Sequence, residues 1–267
     1  MSEAHRARKR FGQNFLVDGN IIRKIVAAIA PKPGDNLVEI GPGLAALTRP
    51  VLEASGRLQV VEIDRDLIAR LKDEFAGQPL QIHQGDALEF DFAGLGADLR
   101  VIGNLPYNIS TPILFHLSDY AERIRDMSFM LQKEVVERMV AVPGSEDYGR
   151  LSVMLQYRYR VDKLFDVPPG AFRPVPKVTS AIVRLVPRPA QELGARDAAL
   201  FGRIVAAAFG QRRKTLRNSL RGLVDQAVLA ELGIDAGARG ERLSVDDFVR
   251  IANRSVSPEP RLRSEPA

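Results

Sequence analysis

The residues in this sequence best suited to chemistry form the run Gly103-Asn104-Leu105-Pro106-Tyr107. The side-chain oxygen of Asn104 and the backbone carbonyl of Leu105 can each accept one N–H from the same amine, and Pro106 rigidifies the direction of that carbonyl. Tyr107 adds a ring that can stack on a flat base. Together these groups fit the activation of an exocyclic adenine amine. Its lone pair is delocalised into the ring, so a catalyst gains by holding the tetrahedral form in which that pair is localised. A strong general base is not required, because the proton becomes acidic only as the nitrogen acquires positive charge.

A second group of residues could hold a cofactor. VEIGPGLAALT at 38–48 places Gly41 and Gly43 on a strand-to-helix turn, where a backbone without side chains lets a ligand approach the helix N-terminus closely. Glu62 ends the next strand about 20 residues beyond Gly41, where an acid can accept hydrogen bonds from ribose hydroxyls. Asp86, in HQGDAL at 83–88, follows the third strand and can either accept from an adenine amine or cap a turn. A nicotinamide dinucleotide would be served by much the same spacing. Against that reading, Pro42 removes a backbone donor from the loop that would cradle a pyrophosphate. The three histidines, His5, His83 and His116, are scattered and offer no obvious hydride-transfer acid. A cofactor without phosphates fits this loop better.

The elements that must position these groups are legible from periodicity. Asp18 caps a helix that carries apolar residues at helical spacing to Ala30 and stops at Pro31. Strands are expected at 36–40, 58–63, 80–84 and 99–104, separated by helices from about Leu44 to Ser55 and from about Asp66 to Phe75, with another helix after Ser110. Further strands at 127–132, 151–161 and 180–186 would complete the sheet. Strands alternating with helices imply right-handed crossovers and a mostly parallel sheet covered on both faces, an α/β fold. After 186–194 the pattern becomes helical, so we expect an α/β domain over 1–190, a small helical domain over 191–254, and a disordered tail at 255–267.

Composition narrows the classes. The chain has no cysteine among its 267 residues, which excludes disulfides, a catalytic thiol and thiolate metal sites, and no metal is expected. The basic opening stretch lacks the apolar core of a secretory signal, and no run approaches the roughly 18 apolar residues of a membrane span. The cytoplasm is the default expectation. Lys and Arg number 38 against 33 acids. The surplus crowds into Arg6, Arg8, Lys9 and Arg10, and again into Arg212, Arg213, Lys214, Arg217 and Arg221. Such clusters are either solvated faces or contacts for a polyanion. Arg213, Arg217 and Arg221 fall at i, i+4 and i+8, along one face if the segment is a single helix.

From about Arg8 to Asn253 the sequence resembles the ribosomal RNA adenine N6,N6-dimethyltransferases, specifically the bacterial type that modifies small-subunit RNA. The resemblance is carried by RKRFGQNFL at 8–16, EIGPGLAALT at 39–48, NLPY at 104–107, FRPVPKVTSAIVRL at 172–185 and FGQRRKTLRNSL at 209–220. Ala45 stands where a third glycine often sits in the wider methyltransferase pattern. The resemblance implies a Rossmann-like class I methyltransferase domain followed by an all-helical RNA-binding domain. It implies S-adenosylmethionine as cofactor and small-subunit (16S) rRNA, or the assembling small subunit, as partner, for a monomer with no membrane attachment.

By the same resemblance, Asn14 and Leu16 contact the cofactor, Gly41 lies under its amino-acid portion, Glu62 holds the ribose and Asp86 the adenine amine. Asn104 belongs to both cofactor and target sites. Phe172 would face Tyr107 across the base, although by itself it reads equally as an apolar residue before a Pro-rich loop. Lys177 could meet a phosphate, and both basic clusters acquire a candidate partner. The rival readings are a large-subunit rRNA dimethyltransferase of the antibiotic-resistance type, disfavoured by the glycine loop and the 212–220 stretch, and a ribosome-assembly factor whose contribution is binding.

Overall fold

The computed structural model describes residues 14–106, 109–211 and 213–256. Tyr107, the basic arm with Arg8, Lys9 and Arg10, Arg212 and the tail from 257 lie outside the described residues. The chain divides into two compact units, one running to 137 and resuming over 159–187, the other comprising 138–158 and the chain from 188.

The first unit is built on a seven-stranded sheet. Its strands are β2 (Asn36–Ile40), β3 (Leu58–Glu62), β4 (Leu80–Gln84), β5 (Leu99–Asn104), β6 (Ile124–Gln132), β7 (Tyr159–Val167) and β9 (Ser180–Pro187), in the order β4-β3-β2-β5-β6-β9-β7. The first five in that order are mutually parallel, and β9 runs antiparallel to both β6 and β7. The chain steps outward from β2 through β3 to β4, then returns to β5 on the other side of β2. That reversal opens a crevice beyond the carboxyl ends of β2 and β5, the place where open parallel sheets bind ligands.

Helix α1 (Gly19–Ile29) precedes β2, helices α2 (Thr48–Ser55), α3 (Arg65–Glu74) and α4 (Ser110–Ser118) connect β2 to β3, β3 to β4 and β5 to β6, and α5 (Lys133–Val140) follows β6. Helix α1 begins where expected: the Asp18 carboxylate accepts from the N–H groups of Asn20 and Ile21 at 2.8 and 3.1 Å. Its C-terminal carbonyls meet a buried cation. Arg100 of β5 donates to the carbonyl oxygens of Ile29 and Ala30 and pairs with Asp35 and Asp126, each at 2.8 Å. Burial pushes Asp35 upward, but hydrogen bonds from Arg100, the Lys32 N–H and Arg125 outweigh it and hold the carboxyl below its usual range. This network lies at the amino end of β5, away from the crevice.

Two short strands not foreseen from sequence, β1 (Phe15–Leu16) and β8 (Phe172–Arg173), pair antiparallel with Leu16 opposite Phe172. Two residues are too few to show a period. The stretch 151–161, expected as a strand, divides instead: α6 (Arg150–Arg158) is helical and β7 starts at Tyr159. Its aromatic and branched residues favour strands, but Ser152, Val153 and Leu155 are buried together, and the Tyr157 ring packs 4.4 Å from that of Phe201. Tertiary packing overrides propensity there.

The second unit contains α6, α7 (Ala198–Phe209), α8 (Leu216–Ser219), α9 (Gln226–Glu231) and α10 (Val245–Ser255), around a core that includes Phe201, Ile204, Leu216, Phe248 and Ile251. Helix α10 opens with a reciprocal cap between Ser244 and Asp247. The basic row is not one helical face, because α8 is a single turn that contains Arg217 but neither Arg213 nor Arg221. Backbone bonds from Leu216 and Arg217 to the carbonyls of Ala238 and Ala236 tie it to a neighbouring loop.

Candidate active site

Where β2 ends, the chain turns through Gly41-Pro42-Gly43. Gly41 and Gly43 adopt φ of 66° and 57°, left-handed values that glycine reaches without cost. The Gly41 N–H donates to the Val61 carbonyl at 2.9 Å, which ties the loop to β3. A Cβ on Gly43 would lie 3.4 Å from the Phe15 ring. Ala45 also has a positive φ, 64°. It therefore holds the conformation that a third glycine would hold, at a cost of about 1–2 kcal/mol for an L-residue.

The crevice is a cavity of about 300 Å³. Of the residues singled out in the sequence, Asn14, Leu16, Gly41, Glu62, Asp86, Asn104, Leu105 and Phe172 line it. Lys177 is exposed and outside it, as are Arg213, Lys214, Arg217 and Arg221. Phe172 is 1% exposed and belongs to the core as well as to the wall.

Glu62 is gripped at the end of β3. Its Oε1 accepts from the N–H groups of Ile63 and Asp64, both at 2.9 Å, and the Gly43 N–H also donates to the carboxylate. Burial is the largest influence and raises its pKa, with the three N–H groups working against it. Asp86 folds back on its own loop, Oδ1 accepting from the Leu88 N–H at 2.9 Å. That Asx turn fixes the carboxylate at the cavity wall.

Asn104 closes β5 with its side chain anchored. Its Nδ2 donates to the Asn14 carbonyl at 3.1 Å, so Oδ1 is the acceptor end left for another partner. The following Leu105 N–H donates to the Met130 carbonyl at 3.3 Å, which extends the β5–β6 ladder one residue past the strand. Just before it, Gly103 lies opposite Ile40 of β2. A Cβ there would sit 2.6 Å from the Ile40 carbonyl oxygen, so glycine lets the two strand ends come together.

Sequence reasoning did not single out Glu39, Phe15 and Ile63, all of which line the cavity. Glu39 is 2% exposed, and its Oε2 accepts from Thr48 Oγ1 at 2.7 Å. Burial, with a smaller push from the negative charge of Glu62, outweighs the Thr48 hydrogen bond and raises the carboxyl to about 7. The signal was present: an acid inside the buried run Leu37–Ile40 demands a reason. Ile63 is a large apolar residue 47% exposed beside Glu62.

Similarity to known proteins agrees with this geometry. The chain is 69% identical over 261 residues to the "Ribosomal RNA small subunit methyltransferase A" of Aromatoleum aromaticum, covering 98% of each. It is 57% identical over 251 residues to the like-named protein of Dechloromonas aromatica, covering 94% of this chain and 98% of that one. Among solved structures, it superposes on a dimethyladenosine transferase from Plasmodium falciparum with a TM-score of 0.78 at 26% identity, covering 88% of this chain and 95% of the other. The 23S rRNA methyltransferase ErmE gives 0.69, also at 26% identity, with 90% and 99% covered. The fold is thus that of the class I methyltransferases. The family profile described as ribosomal RNA adenine dimethylase matches residues 4–256, and on that match the chain belongs to the ribosomal RNA adenine dimethylase family.

Proposed function

We propose that this protein transfers methyl groups from S-adenosylmethionine to the N6 amines of two adjacent adenosines near the 3′ end of small-subunit (16S) rRNA during ribosome biogenesis. The observation that carries the chemistry is the anchored Asn104 side chain, whose amide nitrogen is engaged by Asn14 while the residue lines the cavity beside Leu105. When bound, the cofactor supplies an electrophilic methyl group.

The chain's own residues do the rest. Asn104 Oδ1 and the Leu105 carbonyl accept the two N–H bonds of the amine and favour its tetrahedral form, in which the lone pair is localised. As the nitrogen gains positive charge, the same oxygens stabilise that charge, and the proton then leaves to water. Phe172 walls the cavity, and Tyr107 is assigned to stacking on the base. Glu62 is placed to accept from ribose hydroxyls, and Asp86 from the adenine amine. Asn14, Leu16 and Gly41 form the wall against which the cofactor rests. The positive φ values of the glycine loop and the cavity's carboxylates fit such a group, and no pyrophosphate-sized cluster of cations lines the described wall.

In the second unit Arg213, Lys214, Arg217 and Arg221 are exposed, and among the described residues no acid pairs with them. We assign them, with Lys177 and with Arg8, Lys9, Arg10 and Arg212, to phosphate contacts. We assign the protein to action as a monomer. No described helix is long and apolar enough to cross a membrane, and a ribosomal substrate favours the cytoplasm. Small-subunit rather than large-subunit RNA is favoured because the relatives at 57–69% identity carry the small-subunit name. The deciding experiment incubates the protein with labelled S-adenosylmethionine and separated ribosomal subunits lacking the modification, and maps the label by mass spectrometry. Dimethyladenosine confined to the large subunit, or no label in either, would refute the proposal.

A further inference from the structure

The described wall of the cavity carries three carboxylates, Glu39, Glu62 and Asp86, and no lysine, arginine or histidine. A neutral ligand gains only hydrogen bonds from such a wall, whereas a cation is also attracted by every ionised group in it. The methyl donor carries a sulfonium cation, and the thioether left after transfer does not. Its amino-acid ammonium and carboxylate are common to both.

We propose that Glu39 lets the cavity tell the two apart by charge, its ionised form favouring the sulfonium donor over the thioether product and so promoting replacement of spent cofactor between methyl transfers. This rests on the reading of the cavity as the donor's site.

Glu39 suits this role by where it sits. It lies on β2 in register with Val60 of β3 and Ile102 of β5, both apolar, so neither strand partner neutralises it. Thr48 at the start of α2 is the hydroxyl that holds Oε2. Among the described residues, the charged groups that share the cavity wall with it are acids, Glu62 on β3 and Asp86 after β4, and Asp64 lies next to Glu62. Glu62 receives three backbone N–H groups, whereas Thr48 is the only donor to Glu39 among the described residues. Glu39 is therefore the carboxyl whose ionisation a ligand's charge can most readily shift. With burial holding it near 7, it is partly neutral in the free protein, an arriving cation favours its charged form, and loss of that cation lets it take a proton again.

The test is calorimetry of S-adenosylmethionine and S-adenosylhomocysteine binding from about pH 5.5 to 8. At an effective dielectric constant of about 20, a carboxylate several ångströms from a cation is worth roughly ten- to hundredfold in affinity. The donor-to-product affinity ratio of the wild type should therefore rise at least about tenfold across the series. In Glu39→Gln most of that rise should be lost, leaving the smaller change that comes from the ligands' own titration and from Glu62. Thr48→Val removes the bond that favours ionisation, so the rise should move to higher pH. A wild-type ratio independent of pH, or an equal rise in Glu39→Gln, overturns the proposal. Should Glu39→Gln not fold, an unmoved midpoint in Thr48→Val overturns it. If neither ligand binds the wild type, the cavity assignment falls with it.

Discussion

The side-chain amide of Asn104 donates to the backbone carbonyl of Asn14, 90 positions earlier in the chain, at 3.1 Å. The bond joins the end of β5 to the residue that precedes β1, and it leaves the oxygen as the free end of the amide, the acceptor the proposed mechanism needs. An acceptor held this way needs no reorganisation when charge develops on its partner.

Asn104→Ala removes the acceptor and is expected to lower single-turnover methylation by about a hundredfold or more, with a smaller loss of cofactor affinity. Asn104→Asp keeps an acceptor but turns a carboxylate oxygen toward the Asn14 carbonyl, so it should also fall well below wild type. Rapid-quench rates beside calorimetry separate the two effects. A near-normal rate in Asn104→Ala would defeat the mechanism.

Gly103→Ala forces a methyl into the space between β5 and β2, 2.6 Å from the Ile40 carbonyl. The strands must part, which is expected to cost about 1–3 kcal/mol in urea melts. Because Gly41 and Asn104 flank that contact, S-adenosylmethionine affinity should fall in the same variant. Normal stability and normal affinity together would show that the sheet absorbs the methyl without effect.

Ala45 offers a test of strain in the glycine loop. Ala45→Gly relieves a left-handed alanine worth about 1–2 kcal/mol, offset by one lost buried methyl and a more flexible unfolded chain of similar total size. Its stability should stay within about 1 kcal/mol of wild type. Ala45→Val places a β-branched residue at φ 64° and should cost more than either term alone. Chemical denaturation of the three proteins ranks them, and a strongly destabilised Ala45→Gly would contradict the reading.

Glu39 should also leave a signature in stability. Its folded-state pKa of about 7 lies above the ordinary glutamate value of 4.5, so the folded state binds the proton more tightly than the unfolded chain. The contribution is fully present below about pH 4.5 and is lost as pH rises through about 7, up to about 3 kcal/mol for a shift of this size. The stability difference between wild type and Glu39→Gln should therefore move in favour of the variant from pH 5 to pH 8. A difference that does not change with pH would mean that Glu39 titrates as an ordinary glutamate.

Replacing Arg213, Arg217 and Arg221 by glutamine should weaken binding to the small ribosomal subunit and flatten its salt dependence, by up to about 0.7–0.9 in log–log slope for each phosphate that is no longer neutralised. Cofactor affinity should not change, since none of the three lines the cavity. Parallel lines of equal affinity would return these arginines to an ordinary solvated surface.

The sequence by itself determined the parallel α/β architecture, because buried strands and amphipathic helices alternate with periods that the backbone geometry enforces. It also determined the cavity-lining ends of three strands: Gly41, Glu62 and Asn104 each sit where an apolar run meets a turn. Tertiary structure alone decided features that join distant segments. The β1–β8 pair, the Asn104–Asn14 bond and the approach of Gly103 to Ile40 involve partners 60 to 160 positions apart, and no local period encodes a long-range pairing. The 150–158 segment shows the reverse dependence: its composition favours a strand, but the core it joins holds it as a helix. Glu39 lay between the two, an acid visible in an apolar run whose meaning came only when folding placed it in a cavity whose described walls contain no positive charge.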